Sequence, residues 1–166
     1  MFKYILTAVL AGGLMFGASS CCEKRLYCDS EALDFAFVGF SKTEARSFIL
    51  RRYKKELDQW DSPIDTAQFV YTGSALTTGT KPDTLYFSDF RTTDDLTGIK
   101  ANNDWVIYVP GARKYFYITT IFEEENNWKI VRCNDDEETC SKPIRNFSEN
   151  FVWKTGNFTF LEKKEE

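Results

Sequence analysis

Apolar positions along this chain recur mostly with a period of two, in short runs separated by Gly, Pro, Asn, Asp and Ser. That alternation predicts half-buried β-strands. Residues 33–40 place Leu33, Phe35 and Phe37 on one side and Asp34, Ala36 and Val38 on the other. Residues 64–71, 84–90, 105–109, 114–122, 128–132, 144–147, 151–154 and 157–162 read as further strands. In 114–122 the expected phase sets Tyr115, Tyr117, Thr119 and Ile121 against Phe116, Ile118 and Phe122. Pro110-Gly111, 123–127 and Thr155-Gly156 read as turns, 72–82 as a loop or hairpin turn, and 91–103 as a long polar loop. The ambiguous stretch is 42–58. Ser41 and Glu44 match a capping box, and Ala45, Phe48, Ile49, Arg52 and Glu56 follow at helical spacing. However, an apolar stripe should not run into Arg52 and Glu56, and Phe48, Ile49 and Tyr53 favour a strand over 47–54. Short strands at this spacing, with turn residues between them, predict an all-β fold, an antiparallel β-sandwich of immunoglobulin-like or similar type.

The start of the chain has a different pattern. Lys3 precedes an apolar run over 4–17, which ends in Gly17-Ala18-Ser19-Ser20 before Cys21. A basic start, an apolar middle and small residues at the cut form the layout of a secretory signal. The run is shorter than the roughly 20 apolar residues a spanning helix needs, and it contains Gly12-Gly13. Residues 1–20 are therefore expected to be removed, leaving 146 of 166 residues, enough for one ordinary domain. The expected organisation is a tether over 21–32, one β-domain over 33–162 and a frayed charged tail over 163–166. Loss of Lys3 moves the net charge from −4 to −5, which argues against nucleic acid as a partner. The basic cluster Arg51-Arg52-Tyr53-Lys54-Lys55 reads as a solvated face.

The chain contains no histidine, which removes Ser-His-Asp and Cys-His catalysis and His-ligated zinc. No enzyme activity, cofactor or metal is expected. The acidic runs at 94–95, 123–125 and 135–138 lack the alternating spacing and central glycine of a calcium loop and read as solvated turns. The five cysteines fit an exported protein with disulfides. The expected bridge joins Cys133 to Cys140 across the polar segment between them, leaving Cys22 and Cys28 to pair or to remain free. Among the aromatics, Trp105 and Phe116 sit in apolar strands and are expected in the core. Trp60 and Trp128 border polar segments and are the candidate ligand-facing rings, because flat rings on a β-surface suit sugar or peptide binding.

The stretch from Gly17 to Cys21 resembles the lipobox of bacterial lipoproteins, with Ala18 where leucine is usual. Looser boxes of this kind occur among Bacteroidota lipoproteins. The resemblance implies acylation of Cys21, by palmitate or similar chains, and anchoring without a spanning helix. Each buried methylene contributes about 0.8 kcal/mol, so two or more chains hold firmly where one does not. Cys22, rather than Asp, follows Cys21, which favours the outer membrane. The mature chain also resembles small uncharacterised Bacteroidota lipoproteins, in Phe35-Ala36-Phe37-Val38-Gly39-Phe40, Ile49-Leu50-Arg51-Arg52-Tyr53, Ile64-Asp65-Thr66, Ile107-Tyr108-Val109-Pro110-Gly111, Tyr117-Ile118-Thr119, Cys133 and Cys140-Ser141-Lys142-Pro143-Ile144. That resemblance implies a β-rich Arg-Arg-Tyr segment and so favours a strand there, with one helix at 42–58 as the alternative. It implies no activity. Asp65-Thr66-Ala67 and Asp83-Thr84-Leu85 resemble the O-glycosylation sequon of Bacteroidota envelope proteins, at Thr66 and Thr84. The expected function is that of a lipid-anchored envelope protein, a binding or structural module with a protein or glycan partner. The alternatives are a small hydrolase working through two carboxylates and a secreted β-domain without lipid.

Overall fold

The computed structural model describes residues 23–55, 60, 62–71, 76–78, 83–87, 98–132 and 139–164. Its strands are β1 (Glu23–Tyr27), β2 (Asp29–Ser30), β3 (Asp34–Val38), β4 (Ser47–Lys54), β5 (Asp65–Val70), β6 (Leu76–Thr78) and β7 (Thr84–Phe87). They continue as β8 (Asn103–Val109), β9 (Lys114–Glu123), β10 (Trp128–Arg132), β11 (Ser141–Lys142), β12 (Ile144–Glu149), β13 (Val152–Thr155) and β14 (Phe158–Glu162). The described residues include 3-10 turns but no α-helix. The capping box at Ser41 and Glu44 is real, with Ser41 N–H donating to Glu44 Oε2 at 2.9 Å and Glu44 N–H to Ser41 Oγ at 3.3 Å. It opens only the 3-10 turn Glu44–Arg46, after which the chain extends into β4. The helix considered for 42–58 is thereby corrected. Phe48 and Leu50 alternate into the core from a strand, and Arg52 meets Asp65 on β5 where a helix would have needed an apolar residue.

The chain divides into two compact units. The larger comprises Asp29–Asn127 and Ser141–Glu166. Within it a six-stranded sheet runs β13-β12-β9-β8-β4-β5, antiparallel at every pairing. A four-stranded sheet runs β14-β3-β7-β6. The buried faces of both sheets share one core. Phe37 of β3 lies 5.8 Å, centroid to centroid, from Phe48 of β4 and 6.3 Å from Phe116 of β9. Phe35 meets Phe48 edge-on at 5.5 Å. Such tilted ring pairs add about 0.5–1.5 kcal/mol each beyond area burial. Trp105 and Phe116 are buried as expected, and Trp105 Nε1 donates to Lys100 O at 2.9 Å, satisfying its one polar atom. Glu149 is the one buried acid among the described residues, and it accepts a hydrogen bond from Thr159 of β14.

Two pairings depart from the expected antiparallel arrangement. β14 pairs with β3 in parallel over five residues, and β11 pairs with β2 in parallel. Parallel neighbours need a long crossover, and both pairs join strands far apart in the chain. The phase expected for 114–122 breaks halfway. Thr120 adopts φ +51°, the β9–β12 register shifts there, and Ile121 turns inward beside Phe116 and Ile118 while Phe122 turns out. A bulge of this kind inserts one residue and flips everything after it. Lys163, placed in the expected frayed tail, is tied to the body. Lys163 N–H donates to Val38 O at 2.9 Å, and its ammonium reaches Glu44 Oε1 at 2.6 Å.

The smaller unit comprises Met1–Cys28 and Trp128–Cys140. Its described part is a two-stranded ribbon in which β1 and β10 pair antiparallel over five residues. The stretch read as a tether, 21–32, thus carries a paired strand. A two-stranded ribbon is marginal on its own, and Val131 is its one buried apolar residue among those described. A disulfide between Cys28 and Cys140 closes it, with Cα atoms 4.3 Å apart. This corrects the expected bridge from Cys133 to Cys140. A loop of six residues can be closed, but the parallel β2–β11 pairing sets Ser141 opposite Asp29, so the residues just before them, Cys140 and Cys28, lie side by side. Cys133, like Cys21 and Cys22, lies outside the described residues.

Candidate binding edge and aromatic face

The two tryptophans singled out in the sequence take different positions. Trp60 is half-buried, wedged edge-on between Tyr53 at 5.0 Å and Tyr117 at 5.1 Å. Trp128, in the smaller unit, is 44% exposed and carries the guanidinium of Arg25 at 4.9 Å from its ring. Trp60 is therefore a packing residue with one exposed flank, and Trp128 is one half of a cation–π pair. Of the two candidate glycosylation positions, Thr66 is exposed on β5, whereas Thr84 is buried in β7 and is no acceptor in the folded chain.

A ring surface does exist, on residues that the sequence reading placed in strands without marking them. Along the outer side of the six-stranded sheet, Tyr108 stacks on Tyr115 at 4.2 Å, directly across the β8–β9 pairing. Tyr117 follows on β9, between Trp60 and Phe151, the latter lying 6.4 Å away and nearly parallel. Phe122 stacks against Trp153 at 6.0 Å. The Lys55 ammonium sits 5.8 Å from the Phe122 ring while donating to the carbonyls of Ala101 and Ile121 at 3.1 and 3.2 Å. The bulge at Thr120 creates this group, because without it Phe122 would face the core.

The row ends at β13, which among the described residues pairs with β12 alone. Glu149 opposes Val152 across a two-residue turn, Asn150-Phe151, with φ +47° and +67° at the two positions. Both signs fit the primed hairpin turn, whose second position favours glycine. A phenylalanine at positive φ is costly, by roughly 1–2 kcal/mol, and this one is 77% exposed. Asn150 ties the turn down, donating its N–H to Tyr117 O and accepting from Tyr117 N–H at Oδ1, both at 2.9 Å. All four residues of β13 are exposed, with Val152 at 57% and Trp153 at 59%. In an antiparallel hairpin the residues flanking the turn bond to each other, and bonding then alternates along the strand. The bond from Gly156 N–H to Arg145 O, 2.8 Å long, keeps that alternation. Val152 and Lys154 therefore point their backbone groups at β12, while those of Trp153 and Thr155 point off the edge.

Unpaired N–H and C=O groups beside apolar side chains make a template for another strand, and most proteins blunt such edges with charge, proline or a bulge. Lys154 is the one such device on β13. The pattern 151–154 was legible as a strand, but its place at the edge depends on pairing partners far away in the chain. The carboxylate pair required by the hydrolase alternative does not assemble around Glu149, whose described polar partner is Thr159. Among the described residues no group of three metal-ligating side chains occurs. No family model, no curated protein and no solved structure matches the chain.

Proposed function

We propose that this chain is an envelope interaction module, held to the outer membrane by acyl chains on Cys21, that binds an extended polypeptide segment as an added strand along β13. The leader pattern and the small residues before Cys21 support the anchor. The core shared by the two large sheets supports reading the body as a β-sandwich of immunoglobulin-like or similar type. The observation that carries the binding reading is the open edge. Trp153 and Thr155 offer main-chain groups, and Phe151, Val152 and the stacked Trp153 and Phe122 offer apolar area next to them. Strand addition uses this combination, with backbone bonds giving affinity and neighbouring side-chain surfaces giving selectivity. At β5, the other edge of the same sheet, the exposed apolar residues Ile64 and Val70 are separated by the polar Thr66 and Gln68 and carry no aromatic ring, unlike Phe151, Val152 and Trp153.

A benzophenone side chain at position 152 of the full, membrane-bound chain tests the proposal. Illumination is expected to give discrete polypeptide adducts from 152 and none from position 66, and adding Trp153→Lys should abolish them. Equal adducts from both positions, or adducts indifferent to Trp153→Lys, would remove the edge as the site.

A further inference from the structure

The side chains of β13 alternate between two faces of different chemistry. Val152 opposes Glu149 and Lys154 opposes Phe147 on β12, so these two lie on the face that carries the buried Phe147. Trp153 opposes Ser148 and Thr155 opposes Asn146, so they lie on the other face, where Trp153 stacks against Phe122. The main-chain groups pointing off the edge belong to Trp153 and Thr155, and Lys154 sits between them. Lys154 is exposed, and its ammonium meets no carboxylate among the described residues.

A second copy of this chain fits that edge poorly. Antiparallel self-pairing about a two-fold axis through Lys154 would match Trp153 with Thr155 on both sides. It would also set two lysines directly opposite each other, which is destabilising. An axis through Trp153 sets Thr155 opposite Phe151, and an axis through Thr155 sets Trp153 opposite Asn157. Phe151 and Asn157 both lie outside the strand, so either register leaves part of the edge unbonded.

We infer that the strand added at β13 comes from a different polypeptide, runs antiparallel, and carries an acidic residue opposite Lys154 followed by an aromatic residue opposite Trp153. The inference rests on the reading of β13 as the binding edge. Antiparallel addition continues a sheet that is antiparallel at every pairing, and it gives Lys154 and Trp153 directly opposed neighbours. In that direction the residue opposite Thr155 comes first, followed by those opposite Lys154, Trp153 and Val152. The carboxylate supplies the ion pair that Lys154 lacks within the fold. The ring extends the Phe122–Trp153 stack by one strand. A β-branched residue opposite Thr155 and an apolar one opposite the exposed Val152 complete a four-residue pattern. Lys154 thus guards the edge against its own copies and also selects among other partners.

Titrating the full chain in detergent micelles with fluorescein-labelled Gly-Ser-Thr-Glu-Tyr-Val-Ser-Gly tests this, beside a counterpart with Lys in place of Glu. The Glu peptide is expected to bind roughly threefold or more tightly than the Lys peptide, the size of an opposed charge pair exchanged for like charges. In Lys154→Glu the preference should invert, and in Trp153→Lys both peptides should lose binding. The reversed order, Gly-Ser-Val-Tyr-Glu-Thr-Ser-Gly, should bind more weakly than the first peptide. A preference that is absent, or that Lys154→Glu leaves unchanged, would overturn the inference. So would equal binding of the reversed peptide, or a dimer of the chain that Trp153→Lys dissociates, since a second copy would then be the occupant. If neither peptide binds while polypeptide adducts still form at position 152, this inference fails and the binding edge stands. If peptides and adducts are both absent, the edge itself fails.

Discussion

Phe151 shows most clearly that a local conflict is tolerated here. Its neighbour Asn150 suits a positive φ, but a bulky ring at φ +67° does not, and nothing in the core requires it, since the side chain is almost wholly in solvent. Strained residues held in place by their surroundings cluster where a protein does something. Phe151→Gly would give the Asn-Gly pair that such a turn favours. The backbone relief outweighs the lost contact with Tyr117, so thermal or denaturant unfolding should show a gain of about 0.5–1 kcal/mol. The same variant should weaken the crosslinking seen from position 152. Thr120 is a second residue of this kind, and its left-handed backbone accounts for the failure of the expected alternation in 114–122. A β-branched residue gives no sign in the sequence that it will sit in a bulge, so Ile121 and Phe122 could not be assigned to their faces in advance.

Among elements, the strands were legible and their neighbours were not. Period-two patterns located β3, β4, β5, β8, β9, β10, β12, β13 and β14 to within a few residues, because alternation follows directly from one buried face. The parallel pairing of β14 with β3, the edge position of β13 and the partner of Cys140 all depend on contacts between residues far apart in sequence, which no local pattern encodes. The capping box opens only a 3-10 turn and the strand favoured over 47–54 follows it, since tertiary burial of Phe48 and Leu50 wins over helical spacing. That turn nevertheless makes a long-range tie. The Glu44 carboxyl is lowered from its ordinary 4.5 to about 2, chiefly by the Lys163 ammonium and then by the N–H and hydroxyl of Ser41. A carboxyl depressed in the folded state stabilises above its ordinary pKa, and the contribution is lost as the pH falls towards the folded value. Glu44→Gln should therefore lower the denaturant midpoint near neutrality, and the gap from the unaltered protein should close as the pH falls from about 4.5 towards 2.

At the level of the whole molecule, the proposed anchor at Cys21 and the proposed interaction edge at Val152–Thr155 lie far apart along the chain. The proposed anchor makes a direct prediction. Labelled palmitate should enter the expressed protein, Cys21→Ser should abolish incorporation, and the variant should be recovered without detergent. The Cys28–Cys140 disulfide bears on the ribbon, since two five-residue strands with one buried apolar residue are marginal by themselves. The missing histidine and the mild acidity narrowed the classes of function, but they could not point to β13, because what makes that strand a candidate is that no described strand pairs with it on one side.

Residue-resolved amide exchange on the purified, monomeric chain tests the open edge most directly. The account predicts that the Trp153 and Thr155 amides exchange rapidly while those of Val152 and Lys154, bonded to β12, are protected. Equal protection at all four positions would mean that β13 is already covered, and it would contradict the binding edge on which the proposed function rests.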